Sequence, residues 1–299
     1  MKIIFMGTPD FAIPSLDALV KSRHEVVAVV TTPDKERGRG QKVTFTPVKE
    51  YALKNNIEVL HPAFLREEGF LKRLEELQAD LYVIVAFRIL PREVYTIPSK
   101  GSFNLHGSLL PKYRGAAPIQ WAIINGEKET GVSTFFLQDK VDTGNIILQE
   151  KLEISDADDF GTLHDKMSVL GASVVLKTVE VIESGNIRLQ TQDGALATPA
   201  PKITKETARI DWNNRAEDIH NLIRGLSPYP AAYFQHSGKV IKVFRALVNH
   251  EKKLAPGEVF QTKTEAIIGC GTDSLSLLEV QLEGRKRLPI EEFLRGFSF

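Results

Sequence analysis

The chain has 299 residues, of which 42% are hydrophobic and 25% are charged, so it is long enough to bury a core and to form about two domains. Lys and Arg together number 38, as do Asp and Glu, so any contact with a polyanion has to use local basic patches. One cysteine excludes an internal disulfide, and no run approaches the ~20 apolar residues of a membrane span.

The N-terminal half alternates short apolar runs with amphipathic segments. Strands are predicted at 2–6, 25–31 and 81–86, and helices at 13–22, 47–55 and 67–77. Such alternation is typical of βαβ crossovers, which place helices on both faces of a mostly parallel sheet. We therefore predict an α/β fold with a Rossmann-like, doubly wound N-terminal domain.

A polar and glycine-rich stretch follows the next predicted strand. That strand covers 101–105, the stretch covers 106–115, and a helix is predicted at 118–125. Two more strands, at 131–137 and 145–153, flank a predicted turn, and a long helix at 162–184 ends before Gly185. Ligands bind beyond the carboxyl ends of strands in open α/β sheets, so a site is expected where the polar stretch begins.

The C-terminal third has a different pattern. Alternating prolines and small residues predict an extended linker at 189–205, which separates a domain at 1–188 from a domain at 206–299. The second domain has one predicted helix at 216–226 and five short strands, at 231–235, 240–247, 257–262, 265–270 and 274–280. Their spacing is typical of a small antiparallel barrel or sandwich. Its single cysteine, Cys270, lies in an apolar run and is expected to be an inert core residue.

Asn104 and His106 are the first candidates for chemistry. Side chains alternate along a strand, so both point to the same face and one amide and one imidazole can converge on one atom. Asp142, in the predicted turn, can orient that imidazole and balance a positive charge on it. Each residue also has a structural interpretation: Asn104 and His106 as caps of a strand end, and Asp142 as a turn residue that bonds its own backbone.

The sequence around these residues resembles a known family. The stretch 103–118, FNLHGSLLPKYRGAAP, is similar to the signature of the formyltetrahydrofolate-dependent formyltransferases. Further similar segments are GTPDFA at 7–12, DTG at 142–144 and RIDW at 209–212. The resemblance thus extends over the whole chain, and it is greatest to the members of the family that formylate methionyl-tRNA.

The resemblance implies a reaction and its partners. The formyl donor would be 10-formyltetrahydrofolate, and the acceptor would be the free amino group of initiator methionyl-tRNA, a step that supports translation initiation. A primary amine attacks the formyl carbon, so the site needs donors for an oxyanion and a route for protons, with no metal and no covalent enzyme intermediate. Asn104 and His106 would be the donors, and Asp142 would hold His106. The protein is expected to be a cytoplasmic monomer that binds no membrane.

The same resemblance assigns the folate site. Its residues would come from the segment before the catalytic strand and from the stretch after it: Phe87, Arg88, Leu90, Ser108, Leu109, Leu110 and Pro111. The first segment departs from the pattern of many tRNA-specific members and resembles the purine-pathway formyltransferase, which leaves the pterin contacts open. Phe87 and Leu90 could instead simply belong to the core.

Two basic regions are candidates for tRNA binding. The long connection 31–42 carries Arg37, Arg39 and Lys42, and the resemblance places Arg39 at the tRNA acceptor end. The C-terminal domain resembles the family's oligonucleotide-binding (OB) barrel and carries Lys239, Lys242 and Arg245. Both regions could equally be solvated surface.

Other chemistries have less support. The seven histidines are scattered without Cys partners, so a metal site is not expected. The turn after the first strand lacks G-x-G-x-x-G, which argues against a nicotinamide. The alternatives that remain are formylation of a nucleotide-linked amino sugar or of a purine precursor, and a noncatalytic RNA-binding protein on the same scaffold.

Overall fold

The computed structural model describes residues 1–37 and 42–299, without the side chains at 35–37, 42 and 43. Its α-helices are α1 Ile13–Val20, α2 Pro47–Lys54, α3 Glu68–Glu76, α4 Arg92–Tyr95, α5 Pro118–Ile124, α6 Phe160–Ser184, α7 Ala216–Leu226 and α8 Ile290–Phe293. Its strands are β1 Lys2–Gly7, β2 Glu25–Val30, β3 Lys35–Arg37, β4 Lys42–Thr44, β5 Glu58–Leu60, β6 Leu81–Val85, β7 Ser102–His106, β8 Arg114–Gly115, β9 Glu129–Phe136, β10 Ile146–Glu153, β11 Pro199–Ala200, β12 Ala232–His236, β13 Lys239–Asn249, β14 Val259–Gln261, β15 Ala266–Gly269, β16 Ser274–Leu282 and β17 Arg287–Pro289. None of the described helices has the length and apolar character that crossing a membrane requires.

The chain forms two compact units, and neither is continuous in sequence. The first consists of Met1–Gly115, Gly131–Leu152 and His164–Pro199, and the second of Ala116–Thr130, Glu153–Leu163 and Ala200–Phe299. Helix α5, which lies between two strands of the first unit in sequence, thus belongs to the second. The domain boundaries predicted from sequence, at 188 and 206, divide the chain differently from these two units. They stay predictions.

A seven-stranded sheet in the order β10-β9-β7-β6-β1-β2-β5 forms the centre of the first unit. Strands β5, β2, β1, β6 and β7 pair in parallel, and β9 pairs antiparallel with β7. Strands β1 and β6 are buried almost throughout, as continuous apolar runs predict for central parallel strands. The predicted Rossmann-like α/β fold is confirmed, and β7 is an internal strand next to the middle strand β6, so that its end can carry a site.

Several short elements of the first unit were not predicted, including the following. Strand β5 is an edge strand, and α4 follows the predicted folate segment. The connection after β2, predicted as a loop over 31–42, instead contains an antiparallel pairing of β3 with β4. Each of these elements has only three or four residues, which is too short for a periodic pattern to reveal.

The second unit contains a six-stranded antiparallel sheet, in which β12, β13, β16, β15 and β14 follow one another and β17 also pairs with β16. The sheet curls into a half-barrel, which confirms the predicted class of this domain. Helix α7 lies where it was predicted, and its buried side chains Ile219, Ile223 and Leu226 repeat at helical spacing against the sheet's core. Strand β17 and helix α8 were not predicted.

The segment predicted as a linker is bonded to the first unit over part of its length. The backbone of Gln190 exchanges hydrogen bonds with that of Ile146, at 2.8 and 2.9 Å. Further along, Thr198 accepts from the backbone of Arg114 at 2.9 Å. The segment contains a short 3-10 helix at Gly194–Leu196 and the two-residue strand β11, and within the first unit it has fixed partners.

Candidate active site

Asn104 and His106 occupy the carboxyl end of β7. Their neighbours in the sheet are β6 and β9, with Ile84 beside Asn104 and Ser133 beside His106. Asn104 is half-buried, and within the described residues its side-chain amide makes no hydrogen bond. An amide without a protein partner at the end of a central strand can donate to a bound substrate.

The imidazole of His106 lies between two acceptors. Its Nε2 is 2.8 Å from the backbone oxygen of Tyr113, and its Nδ1 is 3.9 Å from Oδ2 of Asp142. A carbonyl oxygen only accepts, so Nε2 carries a proton and donates to it. Nδ1 is then the ring nitrogen that can take up a proton, next to a carboxylate and with only 6% of the side chain exposed.

Asp142 is held by the backbone of the facing loop. Its Oδ2 accepts a hydrogen bond of 2.9 Å from the backbone nitrogen of Gly115. The backbone φ of Asp142 is 55°, in the left-handed region that residues with a side chain rarely adopt. At Gly144, two residues further, a Cβ would lie 1.7 Å from the backbone oxygen of Phe136, so only glycine fits this turn.

A buried polar network supports the stretch after His106. The Ser133 hydroxyl donates to the Ser108 oxygen at 2.6 Å and accepts from the Leu110 nitrogen at 3.0 Å. Gln149 Nε2 donates to the same hydroxyl at 2.8 Å and to the Leu110 oxygen at 2.9 Å. The backbone at Ser108 and Leu110 is therefore held by side chains of β9 and β10.

The predicted folate residues fall into two groups by burial. Leu90, Ser108 and Leu110 are buried, and the Ser108 hydroxyl donates to the Lys112 oxygen at 2.6 Å. Phe87, Arg88, Leu109 and Pro111 are half-buried. Together with residues 63–66, residues 88–91 line a surface cavity of about 410 Å³.

Arg88 is one of the residues along this cavity, and no carboxylate among the described residues is bonded to its guanidinium. It donates instead to the backbone oxygens of Pro62 and Ala63, at 2.5 and 3.0 Å. Its Nε is buried without a hydrogen-bond partner in the described structure. Burial lowers the pKa of this guanidinium, and the nearby Glu67 offsets part of that effect.

The predicted tRNA residues are only partly described. Arg39 lies outside the described residues, as do the side chains of Arg37 and Lys42. Arg245 and Lys239 are exposed on β13, and the Lys239 ammonium is 5.8 Å from the ring centre of Phe297. Lys242 is half-buried and donates to the Pro230 oxygen at 3.2 Å.

Sequence reasoning missed three residues that shape the site. Gln192 bonds the turn that carries Asp142, Arg114 bonds Gln192, and Tyr113 supplies the carbonyl next to His106. These contacts use backbone oxygens and side-chain amides, which leave no pattern in a sequence. Gln192 also lies in the segment 189–205, which was predicted to be a linker and not part of a site.

Two observations concern other reactive groups. No cluster of three or more His, Cys, Asp or Glu side chains suited to a metal ion occurs among the described residues. Cys270 is 3% exposed, and burial raises the pKa of its thiol to about 11, with a smaller contribution from Asp273. The prediction that Cys270 lies in the core is confirmed, and its lack of reactivity stays a prediction.

Known proteins resemble this chain along its whole length. The methionyl-tRNA formyltransferase of Caldanaerobacter subterraneus subsp. tengcongensis is 48% identical over 301 residues, which cover 100% of this chain and 97% of the relative. A Helicobacter canadensis N-formyltransferase, solved with folinic acid and dTDP-3-aminofucose, has a TM-score of 0.71 at 20% identity and covers 96% of this chain and 100% of its own. HypX from Aquifex aeolicus, solved with tetrahydrofolic acid, has a TM-score of 0.68 at 19% identity and covers 98% of this chain.

The Helicobacter canadensis enzyme and HypX share the fold of this chain, and the chain spans about half of HypX, at 47% of its length.

Matches to family models identify the family of the chain. The model described as formyl transferase matches residues 1–179, and the model of the formyl transferase C-terminal domain matches residues 202–298. Together with the His106 site at the end of β7, these matches establish that the chain belongs to the formyl transferase family.

Proposed function

We propose that the chain transfers the formyl group of 10-formyltetrahydrofolate to the free amino group of initiator methionyl-tRNA. The observation that carries this proposal is the placement of Asn104, His106 and Asp142 around the end of β7 in a chain 48% identical to a methionyl-tRNA formyltransferase. The reaction would take place in the cytoplasm, where translation consumes its product.

The first step forms a tetrahedral intermediate. The amine nitrogen attacks the formyl carbon, and the electron pair of the C=O bond moves to the oxygen as negative charge. The Asn104 amide, which has no protein partner in the described structure, would donate a hydrogen bond to that oxygen. A preorganised donor at a developing oxyanion is worth on the order of 10² to 10³ in rate.

The second step moves protons. The attacking nitrogen loses a proton as it becomes an amide, and Nδ1 of His106 is the ring nitrogen able to accept it, directly or through water. The Asp142 carboxylate, 3.9 Å away, stabilises the resulting imidazolium. Once protonated, Nδ1 can also donate to the oxyanion. The C=O bond then re-forms, the bond from the formyl carbon to N10 of the folate breaks, and N10 takes up a proton.

The folate would lie along residues 87–90 and 108–111. The cavity of about 410 Å³ beside residues 88–91 supports this placement, since a concave surface is what a small co-substrate needs. Leu109 and Pro111 retain exposed surface for contact with it. Ser108 and Leu110 would act by holding the backbone of this stretch in shape.

The tRNA would use the basic side chains of the second unit and the connection after β2. Arg245 and Lys239 are exposed cations on a curled antiparallel sheet, a surface that can bind a phosphate backbone. Formylation of a nucleotide-linked amino sugar is the alternative, and the Helicobacter canadensis enzyme has the same fold. It is disfavoured because only 20% of the residues match that enzyme.

A direct assay separates the two acceptors. Purified protein is incubated with 10-formyltetrahydrofolate and either charged initiator tRNA or a nucleotide-linked amino sugar, with charged elongator tRNA as the control. We expect formylmethionyl-tRNA from the initiator alone, and none from the His106→Ala variant. Formylation of the sugar in preference to the tRNA would contradict the proposal.

A further inference from the structure

We infer that Gln192 is a positioning residue, which holds the Asp142 carboxylate beside His106 by bonding the backbone of the turn that carries it. The inference rests on the proposed function, because it concerns the group that supports proton transfer there. It does not require Gln192 to touch a substrate.

The side-chain amide of Gln192 uses both of its ends. Its Nε2 donates to the backbone oxygens of Asp142 and Gly144, at 3.0 and 2.8 Å. Its Oε1 accepts two bonds from the Arg114 guanidinium, at 3.1 Å from Nε and 2.7 Å from Nη2. Carbonyls need a donor and a guanidinium needs an acceptor, so the chemistry fixes which end of the amide faces which partner.

The turn depends on such support. Asp142 adopts a φ of 55°, which disfavours a residue with a side chain, and its carboxylate direction follows from that backbone. The backbone oxygens of Asp142 and Gly144 both accept from the NH₂ group of Gln192, so this one side chain holds the turn on both sides of Thr143. The carboxylate so placed accepts from the Gly115 nitrogen at 2.9 Å.

The other neighbour of the imidazole is held from the same segment of chain. Thr198 accepts from the Tyr113 nitrogen through its hydroxyl at 2.8 Å, and Tyr113 supplies the oxygen that His106 Nε2 bonds. Arg114, the next residue, is bonded by Gln192. Both partners of the His106 ring are thus fixed by the segment 192–198. Gln192 bonds both the turn that carries Asp142 and Arg114, the residue after Tyr113.

Gln192→Glu is the sharpest variant. It preserves the size of the side chain and the acceptor for Arg114, but it replaces the NH₂ group by a second acceptor that faces two carbonyl oxygens. The turn should shift, and a displacement of about 1 Å can cost on the order of 10²-fold in rate. We expect kcat to fall about 10- to 100-fold, with KM for folate and tRNA changed less than about threefold.

The experiment compares Gln192→Glu and Gln192→Ala with Gln190→Ala, whose side chain is exposed and which should retain wild-type kinetics. Each substitution at Gln192 is also combined with Asp142→Asn. If Gln192 acts through Asp142, its loss should have little further effect in that background. Wild-type kcat in both single variants, or fully multiplicative effects in the double variants, would overturn the inference.

Amide hydrogen exchange tests the same point without any turnover. The Gly115 amide donates to the Asp142 carboxylate, so its exchange should be faster in Gln192→Glu and unchanged in Gln190→Ala. Unaltered exchange at Gly115 would overturn the inference even if activity fell. A wild-type protein that formylates no acceptor would instead contradict the proposed function, while the exchange result would still decide the role of Gln192.

Discussion

The polar side chains at the end of β7 and those exposed on β13 lie in opposite environments. At β7, His106 is 6% exposed and each of its ring nitrogens faces a fixed acceptor. On β13, Arg245 is exposed, and the described structure gives it no ion pair or hydrogen bond.

This difference reflects two demands. A group that takes part in bond making must be held within a fraction of an ångström, so its neighbours are themselves bonded and buried. A group that meets a phosphate backbone only has to supply charge at the surface, where an unpaired and mobile side chain serves well. Substitutions at the first region should therefore lower kcat strongly, and those at the second should weaken substrate binding modestly.

His106→Ala should produce the largest effect. It removes the proton acceptor and a possible oxyanion donor, so the single-turnover rate of formyl transfer should fall on the order of 10² to 10⁴-fold. Folate affinity, measured by fluorescence titration, should change little. The control is His61→Ala, an exposed histidine of the same unit. A normal single-turnover rate in the folded variant would remove His106 from the mechanism.

Asp142→Asn should come next. The amide keeps the shape and can still accept from Gly115, but it no longer carries the charge that stabilises an imidazolium 3.9 Å away. We expect kcat to fall on the order of 10- to 100-fold with little change in thermal stability. Asp139→Asn, at a carboxylate that is 68% exposed, is the control. Equal activities of the two variants would leave Asp142 as a turn residue.

Much of the β7 region could be predicted from the sequence. The central strands are continuous apolar runs, and the two-residue spacing of Asn104 and His106 places them on one face. Asp142 was connected to them by its chemistry, as a carboxylate able to orient an imidazole, and by the resemblance to a family, since no periodicity links a turn to a strand so far along the chain. The distance between Asp142 and His106 could not be predicted from the sequence and was known only from the structure.

The support around the site could not be predicted, and the physical reason is the same in each case. Gln192 and Ser133 act through hydrogen bonds to backbone oxygens and nitrogens of residues distant in sequence, and Arg114 acts through hydrogen bonds to the side chain of Gln192. Such bonds depend on how strands and loops come together and not on any local pattern. The prolines and small residues near Gln192 predict an extended linker, whereas this segment contains a short 3-10 helix and bonds the turn that carries Asp142.

Ser133→Ala should weaken the scaffold rather than the chemistry. The hydroxyl bonds Ser108, Leu110 and Gln149, and its loss leaves the buried Leu110 nitrogen without an acceptor. An unsatisfied buried donor costs roughly 1–3 kcal/mol, so the free energy of unfolding in urea should fall by about that amount. The control Ser173→Ala lies at an exposed position of α6 and should change it by less than about 0.5 kcal/mol. Equal stabilities would show that water replaces the hydroxyl.

Arg245→Ala should give the smallest effect, because one exposed cation supplies only one of many contacts to a polyanion. KM for initiator methionyl-tRNA should rise a few-fold, while kcat and the KM for folate stay at wild-type values. Each phosphate contact contributes roughly 0.7 to 0.9 to the slope of log affinity against log salt, so the variant's slope should be lower by about that amount. Lys263→Ala removes an equivalent exposed charge from a turn of the same unit and should leave the slope unchanged. Identical slopes for wild type and Arg245→Ala would show that tRNA does not bind the exposed side chains of β13, while the formyl-transfer chemistry at β7 would be unaffected.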